Sequence, residues 1–232
     1  MRSSWRTRGS LLKYYIGHFL DVLNKSRLDL LSFDQDENQF GLDVLRRGLP
    51  MTAQINVMKN YSAEHLVRIV ANYPYVGKFV YSDFKPLEKK LPKVFIQNFD
   101  LLSSDQRFYT WHLSLDELLE INSAQIQIRV ADISENVLNQ FLKLWVKGAS
   151  LRLKFLSIRY PRELKQEAIL RRIPHQVVEK DRQFEIFHED RDSVRRITVN
   201  GGVDVRRKNG TVGTIVFEDD DFGVKMSLYI WN

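Results

Sequence analysis

Ser134-Glu135-Asn136-Val137-Leu138-Asn139-Gln140-Phe141-Leu142-Lys143-Leu144-Trp145-Val146-Lys147-Gly148, followed shortly by Leu153-Lys154-Phe155-Leu156-Ser157-Ile158, is the stretch on which the fold reading turns. In its first part Val137, Leu138, Phe141, Leu142 and Trp145 recur on one face of a 3.6-residue period, which predicts an amphipathic helix. Ser134 stands where its hydroxyl can accept from the amides of the first turn, and Gly148 where a left-handed residue can stop the helix. The second part alternates as a strand does. With the strand-like residues Ser123, Ile126 and Ile128 ahead of it, the stretch reads as one complete βαβ unit.

The same strand signature, apolar or small residues at its positions 1, 4 and 6, recurs along the first two thirds of the chain. It falls at Leu28/Leu31/Phe33, Thr52/Ile55/Val57, Val76/Phe79/Tyr81, Leu91/Val94/Ile96, Ser123/Ile126/Ile128 and Leu153/Leu156/Ile158. Most spacings lie near the roughly 20 to 29 residues of leucine-rich repeats. Helical stretches are expected between the strands, at Asp36–Arg47, from Ser62 through Val70, and after Ser114 through Ile121. The step from Tyr81 to Ile96 holds Pro86 and Pro92 and is too short for a connecting helix. The fold expected is an α/β leucine-rich-repeat-like curved array of βα units, with an ordinary open α/β sheet as the alternative.

After Pro161 the period changes. Short β-rich runs at 184–188, 194–199, 203–207, 211–217 and 224–231 predict a C-terminal antiparallel β meander. Asn209-Gly210 predicts a two-residue hairpin turn, because both of its central positions need positive φ. Glu163–Arg172 reads as a linking helix with Ile169 and Leu170 buried. The organisation expected is a basic helical segment at 1–27, a βα repeat-like region at 28–160 and a β-rich region at 161–232 packed as one unit with the repeats.

The 232 residues carry 35 Lys and Arg against 29 Asp and Glu, a formal charge of +6. Six of the basic residues (Arg2, Arg6, Arg8, Lys13, Lys25, Arg27) fall within 1–27 against Asp21 alone, so the remainder is close to neutral. That distribution disfavours a folded nucleic-acid domain, which would carry its charge on the body. The alternative function is nonetheless a nucleic-acid-binding protein using residues 1–27 and 143–172. Salt separates the two readings, since counterion release makes nucleic-acid affinity fall steeply with ionic strength. No run approaches the ~18 to 20 apolar residues of a membrane span, and an intracellular location, cytoplasmic or nuclear, is expected. Leu11, Leu12, Tyr15, Ile16, Phe19, Val22 and Leu23 recur at helical spacing, which favours a helix over an organellar leader.

Motifs of catalysis are missing or incomplete. With no cysteine, thiol nucleophiles, Cys-ligated zinc and iron–sulfur clusters are excluded. His18, His65, His112, His175 and His188 form no i, i+4 pair that could seat zinc. Asp221-Phe222-Gly223 copies a kinase magnesium triplet without a glycine-rich loop or catalytic loop, and reads as a turn. The chain is expected to be no enzyme and to hold no cofactor or metal. A binding surface is placed on the strand residues that alternate with the core positions: Asn56, Met58, Val80, Ser82, Phe95, Gln97, Gln127, Arg129, Ser157 and Arg159, on the concave face. Met58, Val80 and Phe95 would there be exposed apolar groups of the kind found in protein-recognition patches. Arg195-Arg196 and Arg206-Arg207-Lys208 are expected on solvent faces, with Phe184, Phe187 and Phe217 in the core.

Leu138 to Gly148 with Leu153 to Ile158, then Ile173-Pro174-His175-Gln176, then Gly201-Gly202-Val203-Asp204-Val205-Arg206-Arg207-Lys208-Asn209-Gly210-Thr211, resembles the nematode F-box associated domain, type two. The resemblance runs from about Ser114 to the end. It implies a non-enzymatic protein–protein interaction module like the substrate-recognition part of F-box proteins in cullin-based ubiquitin ligases, with an unknown protein substrate. An F-box would need roughly 40 residues with an early Leu-Pro, which Met1 to Lys25 does not provide. A Skp-type adaptor is therefore expected as a partner only through a divergent docking motif. The resemblance transfers no catalytic residues.

Overall fold

The structure, a computed structural model, describes residues 4–33, 51–58, 61, 63–73, 75–82, 93–104, 111–129, 131–160, 163–187, 193–220 and 223–231. Strands β1 (Leu28–Phe33), β2 (Thr52–Val57), β3 (Lys78–Tyr81), β4 (Leu101–Ser104), β6 (Gln125–Ile128) and β8 (Phe155–Tyr160) lie side by side and parallel. The sheet continues without a break, now antiparallel, through β14 (Gly223–Trp231), β13 (Val212–Asp220), β12 (Gly202–Arg206) and β9 (His175–Val178). Two small pairs complete it: β5 (Trp111–His112) with β7 (Ala131–Asp132), and β10 (Arg182–Phe187) with β11 (Val194–Val199).

This corrects the expected fold class. The chain is a mostly β fold built on one ten-stranded mixed sheet with few helices, not a leucine-rich-repeat-like α/β array followed by a C-terminal antiparallel meander. The finding that overturns it is the last strand, β14, which pairs with β8 from Val224 opposite Tyr160 to Tyr229 opposite Phe155. Among the described residues between β3 and β4 stands a 3₁₀ turn, Lys93–Ile96. The period in the sequence records the apolar face that the strands turn toward the helices, and such a face arises in any covered sheet.

Five of the six strand signatures fall on strands. Ile55, Phe79, Leu102, Ile126, Leu156, Leu228 and Ile215 stand opposite one another across seven strands and are all buried. The sixth signature, Leu91/Val94/Ile96, is a correction. Phe95 lies in the 3₁₀ turn, fully buried, with its ring edge against Phe79 (centroids 6.0 Å) and Tyr81 (5.9 Å). The strand itself is Leu101–Ser104, whose two serines hide it from an apolar pattern.

Helices α1 (Ser4–Val22), α2 (Ala63–Asn72), α3 (Leu115–Glu120), α4 (Glu135–Lys147) and α5 (Gln166–Leu170) are the α-helices among the described residues. The caps of α4 are those its sequence specifies: Val137 N donates to Ser134 Oγ at 3.3 Å, and Gly148 adopts φ 112°. Ser114 and Glu117 form a capping box on α3. Buried Asn139 ties α4 to α5, its Nδ2 donating to Ile169 O (2.7 Å) and Arg171 O (2.8 Å). The expected helix at Asp36–Arg47, the cap at Ser62, His188 and the Asp221-Phe222 turn lie outside the described residues.

The C-terminal part differs from a meander in two ways. β10 and β11 leave the main sheet and fold across its face, and β9, which has no strand signature, takes its edge. Asn209-Gly210 does mark a hairpin, but its loop is Lys208–Gly210, closed by Arg207 N donating to Thr211 O at 2.8 Å. Only Gly210 carries a positive φ, 92°, which suits a type I turn followed by a left-handed residue.

Arg207 is a second correction, since the alternation of β12 placed it in solvent and it is 6% exposed. Its guanidinium donates to Trp145 O (3.1 Å), Ala149 O (2.6 Å) and Ser150 O (3.0 Å) and lies 4.5 Å from the centre of the Trp145 ring. A helix C-terminus leaves carbonyls without partners and attracts positive charge, and Arg207 answers both.

Candidate recognition surface

In a strand, neighbouring side chains point to opposite faces. The residues between the core positions of β1 to β14 therefore form a second face, turned away from α2 and α4. Its first rank runs Leu30, Gln54, Lys78, Leu101, Gln125, Phe155, Tyr229, Thr214, Asp204. Its second runs Ser32, Asn56, Val80, Ser103, Gln127, Ser157, Ser227, Val216. Beyond these lie Met58, Ser82, Arg129, Arg159 and Lys225.

The β10–β11 hairpin covers much of the first rank. Phe184 is its anchor, packed edge-on against Tyr229 (5.2 Å) and Trp231 (5.2 Å) and tilted over Phe155 (6.0 Å). Ile186 and Val199 complete this second, smaller core. Polar contacts hold the hairpin at both ends. Arg182 forks onto Asp204 (2.7 and 3.3 Å), also donates to Thr214 Oγ1 (2.6 Å), and stacks 4.6 Å from the Trp231 ring centre. At the other end Gln125 Oε1 accepts from Phe187 N at 2.9 Å, and the Lys78 ammonium sits 5.2 Å above the Phe187 ring. Along the hairpin Phe184 turns inward, while Glu185 and Arg196 pair in solvent at 2.9 Å. Phe184 is core, Phe187 and Phe217 are half-buried, and Arg195 and Arg196 are exposed.

What stays accessible is the band at the C-terminal ends of the parallel strands. Met58 is 41% exposed, and Asn56, Ser82, Gln127, Arg129, Ser157 and Arg159 are half-buried. Val80 is buried, so it offers little apolar surface. Gln127 Nε2 is out of contact with water and makes no hydrogen bond among the described residues. Two expected members are elsewhere: Phe95 is in the helix-side core, and Gln97 is exposed beside α2. The structure therefore brings Asn56, Met58, Gln127, Arg129, Ser157 and Arg159 onto one face and leaves Phe95 and Gln97 out.

Sequence reasoning missed Gln125, Lys78, Arg182 and Asp204. Nothing local marks them, because their partners are distant in the chain, 22 residues away for Arg182 and Asp204 and 62 for Gln125 and Phe187. No group of three or more His, Cys, Asp or Glu side chains arranged to hold a metal occurs among the described residues. His112 pairs with Asp132 at 3.0 Å across the two-stranded ribbon, both side chains exposed. The basic residues of 143–172 do not share a face: Lys143 and Lys147 are on α4, Arg159 is on the second face of the sheet, and Arg152 binds Asp100 (3.1 Å) and Asn98 O (3.2 Å). No described helix is long and apolar enough to cross a membrane.

Residues 90–158 match the model of the F-box associated family. The match takes in 69 of the 232 residues, less than a third of the chain. It runs from the 3₁₀ turn through β4, α3, β6 and α4 to β8, and so supplies the middle of the sheet. Of the blocks that carry the resemblance, Leu138–Gly148 and Leu153–Ile158 lie inside the F-box associated match, and Ile173–Gln176 and Gly201–Thr211 lie outside it. No curated protein and no solved structure matches the chain. F-box associated domains serve protein interaction and are not known as enzymes.

Tyr73, just beyond α2, is 6% exposed, and burial pushes its hydroxyl up to about 12. Tyr229 is raised in the same direction, by burial first. Between pH 10 and about 12 the unfolded tyrosines have ionised while the native ones keep their protons, so stability falls as pH rises through that window. Tyr73→Phe is expected to flatten this slope, read from urea midpoints at pH 9, 10 and 11. An unchanged slope would show that Tyr73 is not the group responsible.

Proposed function

We propose that this chain recruits protein substrates to a cullin-based ubiquitin ligase and holds them on the open band of the sheet's second face. The match of residues 90–158 to the F-box associated family is the observation that carries this reading. The band supports it physically. Amide and hydroxyl side chains in register, Asn56, Gln127 and Ser157, can bond a peptide backbone, and Arg129 and Arg159 beside them favour acidic residues in the partner.

Docking on a Skp-type adaptor is assigned to α1. Leu11, Tyr15, Phe19, Val22 and Leu23 fall on one arc at helical spacing, and each is more than half exposed. An apolar stripe of this size on a surface helix marks an interaction site.

Co-elution of the chain with a Skp-type adaptor on a sizing column, at low and moderate salt, tests the ligase connection. A stable complex that Tyr15→Asp with Phe19→Asp abolishes is the expected result. No complex at either salt would remove the ligase from this reading. For the substrate face, the expected result is that Met58→Asp with Arg159→Glu weakens a bound substrate at least tenfold by calorimetry without lowering the melting temperature. Unchanged affinity would show that substrates bind elsewhere. Phe95 is unsuited to such a test, because truncating it would empty the core.

A further inference from the structure

At the rim of the sheet where β4, β6 and β8 begin lies a pocket of about 450 Å³. Asp100 and Ala124 stand just ahead of β4 and β6, Arg152 and Lys154 just ahead of β8, and Asn209 and Thr211 come from the turn between β12 and β13. Leu151, Leu153 and Ile230 give it apolar walls. Arg207, only 6% exposed, lines it as well.

Charge in this pocket is out of balance. Three cations line it against one carboxylate, Asp100, and that carboxylate is answered by Arg152 at 3.1 Å. Lys154 and Arg207 form no ion pair among the described residues. Buried charges are ordinarily paired, yet Arg207 is met by three carbonyls and an aromatic ring, and the end of α4 offers roughly half a negative charge. Burial accordingly lowers the Arg207 pKa from the ordinary guanidinium value. Its Nε and Nη2 are spent on those carbonyls, whereas Nη1, with its two N–H groups, makes no hydrogen bond among the described residues and is not shut off from water. At the pocket's other side Asn209 Oδ1 accepts from Thr211 N at 3.1 Å, which leaves the Asn209 Nδ2 as a donor.

An occupant that fits must bring about two negative charges and several acceptor oxygens. A phosphate monoester does so, with about −1.5 to −2 charge at pH 7 and three acceptor oxygens. A carboxylate or a phosphodiester brings a single charge and leaves part of the excess unanswered. The volume falls within the roughly 300 to 1,000 Å³ of ligand pockets, so the ester's carbon group has room against Leu151, Leu153 and Ile230.

We propose that this pocket binds a phosphate monoester, held by Arg207 and Lys154 with Asn209 and Thr211 as neutral donors. The band assigned to substrates lies at the opposite ends of the same parallel strands, so the pocket stands or falls separately from it.

The test titrates methyl phosphate into the full chain, with arginine Nε and the leucine and isoleucine methyls labelled. Saturable shifts at Arg207, Leu151, Leu153 and Ile230 are expected, and dimethyl phosphate should bind at least tenfold more weakly. Lys154 is exposed, so Lys154→Glu should lower the affinity at least tenfold with an unchanged melting temperature. Asp100→Asn should raise it several-fold, because a carboxylate beside the site opposes the anion. Arg207 is left in place, since it also ties down the end of α4. Equal binding of dimethyl phosphate would overturn the assignment to a monoester. Affinity unmoved by Lys154→Glu would show that phosphate binds elsewhere, and no saturable shift would remove the site. N-acetyl-phosphoserine-N-methylamide distinguishes the sources: tighter binding than methyl phosphate supports a phosphorylated side chain of a protein, and equal or weaker binding a small phosphate ester.

Discussion

Arg207→Ala is expected to lower the stability of the fold by about 3 kcal/mol, since hydrogen bonds to charged groups contribute roughly 1.5 to 3 kcal/mol each and a desolvated cation–π contact about 2, with incomplete additivity. The guanidinium reaches the carbonyls of Trp145, Ala149 and Ser150, and its removal leaves them without that donor at the end of α4. It also uncovers the face of Trp145, the largest fully buried side chain. Arg207→Lys should recover little, because an ammonium cannot fork onto carbonyls of separate residues or stack as a plane. Urea unfolding reads the effect as a lower midpoint with an unchanged slope. A loss under 1 kcal/mol for Arg207→Ala would mean that other donors take over the helix end and that Arg207 is not what joins α4 to β12.

Phe184→Ala is expected to cost about 3 to 4 kcal/mol, within the range for emptying an aromatic core site, and to release the β10–β11 hairpin before the main sheet unfolds. Phe184 is the ring shared by Phe155, Tyr229 and Trp231, and the cluster it joins is small. A unit held by so few apolar contacts opens as a local cooperative segment. Hydrogen exchange across 182–187 and 194–199 should therefore accelerate, while 155–160 and 224–231 remain protected within the ten-stranded sheet. The variant also uncovers Phe155 and Tyr229, so increased dye binding or self-association is the accompanying sign. Equal protection of the hairpin in wild type and variant would show that the Arg182–Asp204–Thr214 contacts hold it without the aromatic anchor.

Local features were legible to the residue. Ser134 and Gly148 delimit α4 as their chemistry dictates, and Ser114 caps α3. The alternation of Ile55 and Val57, Phe79 and Tyr81, Ile126 and Ile128, and Leu156 and Ile158 placed four strands and the face each buries. The reading failed where an apolar run did something other than alternate. Val94-Phe95-Ile96 is more apolar than Leu101-Leu102-Ser103-Ser104, yet the first is a 3₁₀ turn and the second a strand, because Phe95 fills the core between Phe79 and Tyr81. The second face of the sheet was similarly half legible: alternation placed Asn56, Gln127, Arg129, Ser157 and Arg159 on it, but not the hairpin that covers their neighbours.

The amino-acid order alone thus determined the caps, the strand faces, the absence of thiol chemistry and the family resemblance borne out over residues 114–158. These rest on short-range physics: backbone groups seeking partners within a turn, and side chains repeating every two or 3.6 residues. Only the tertiary structure decided that β14 lies beside β8, that β10 and β11 cross the second face, that Arg207 is buried against Trp145, and that Lys154 lines the same pocket as Arg207. Each of those depends on which distant segment arrives as a neighbour, and strand pairing across 60 or more residues leaves no period in the local sequence from which that neighbour could be read.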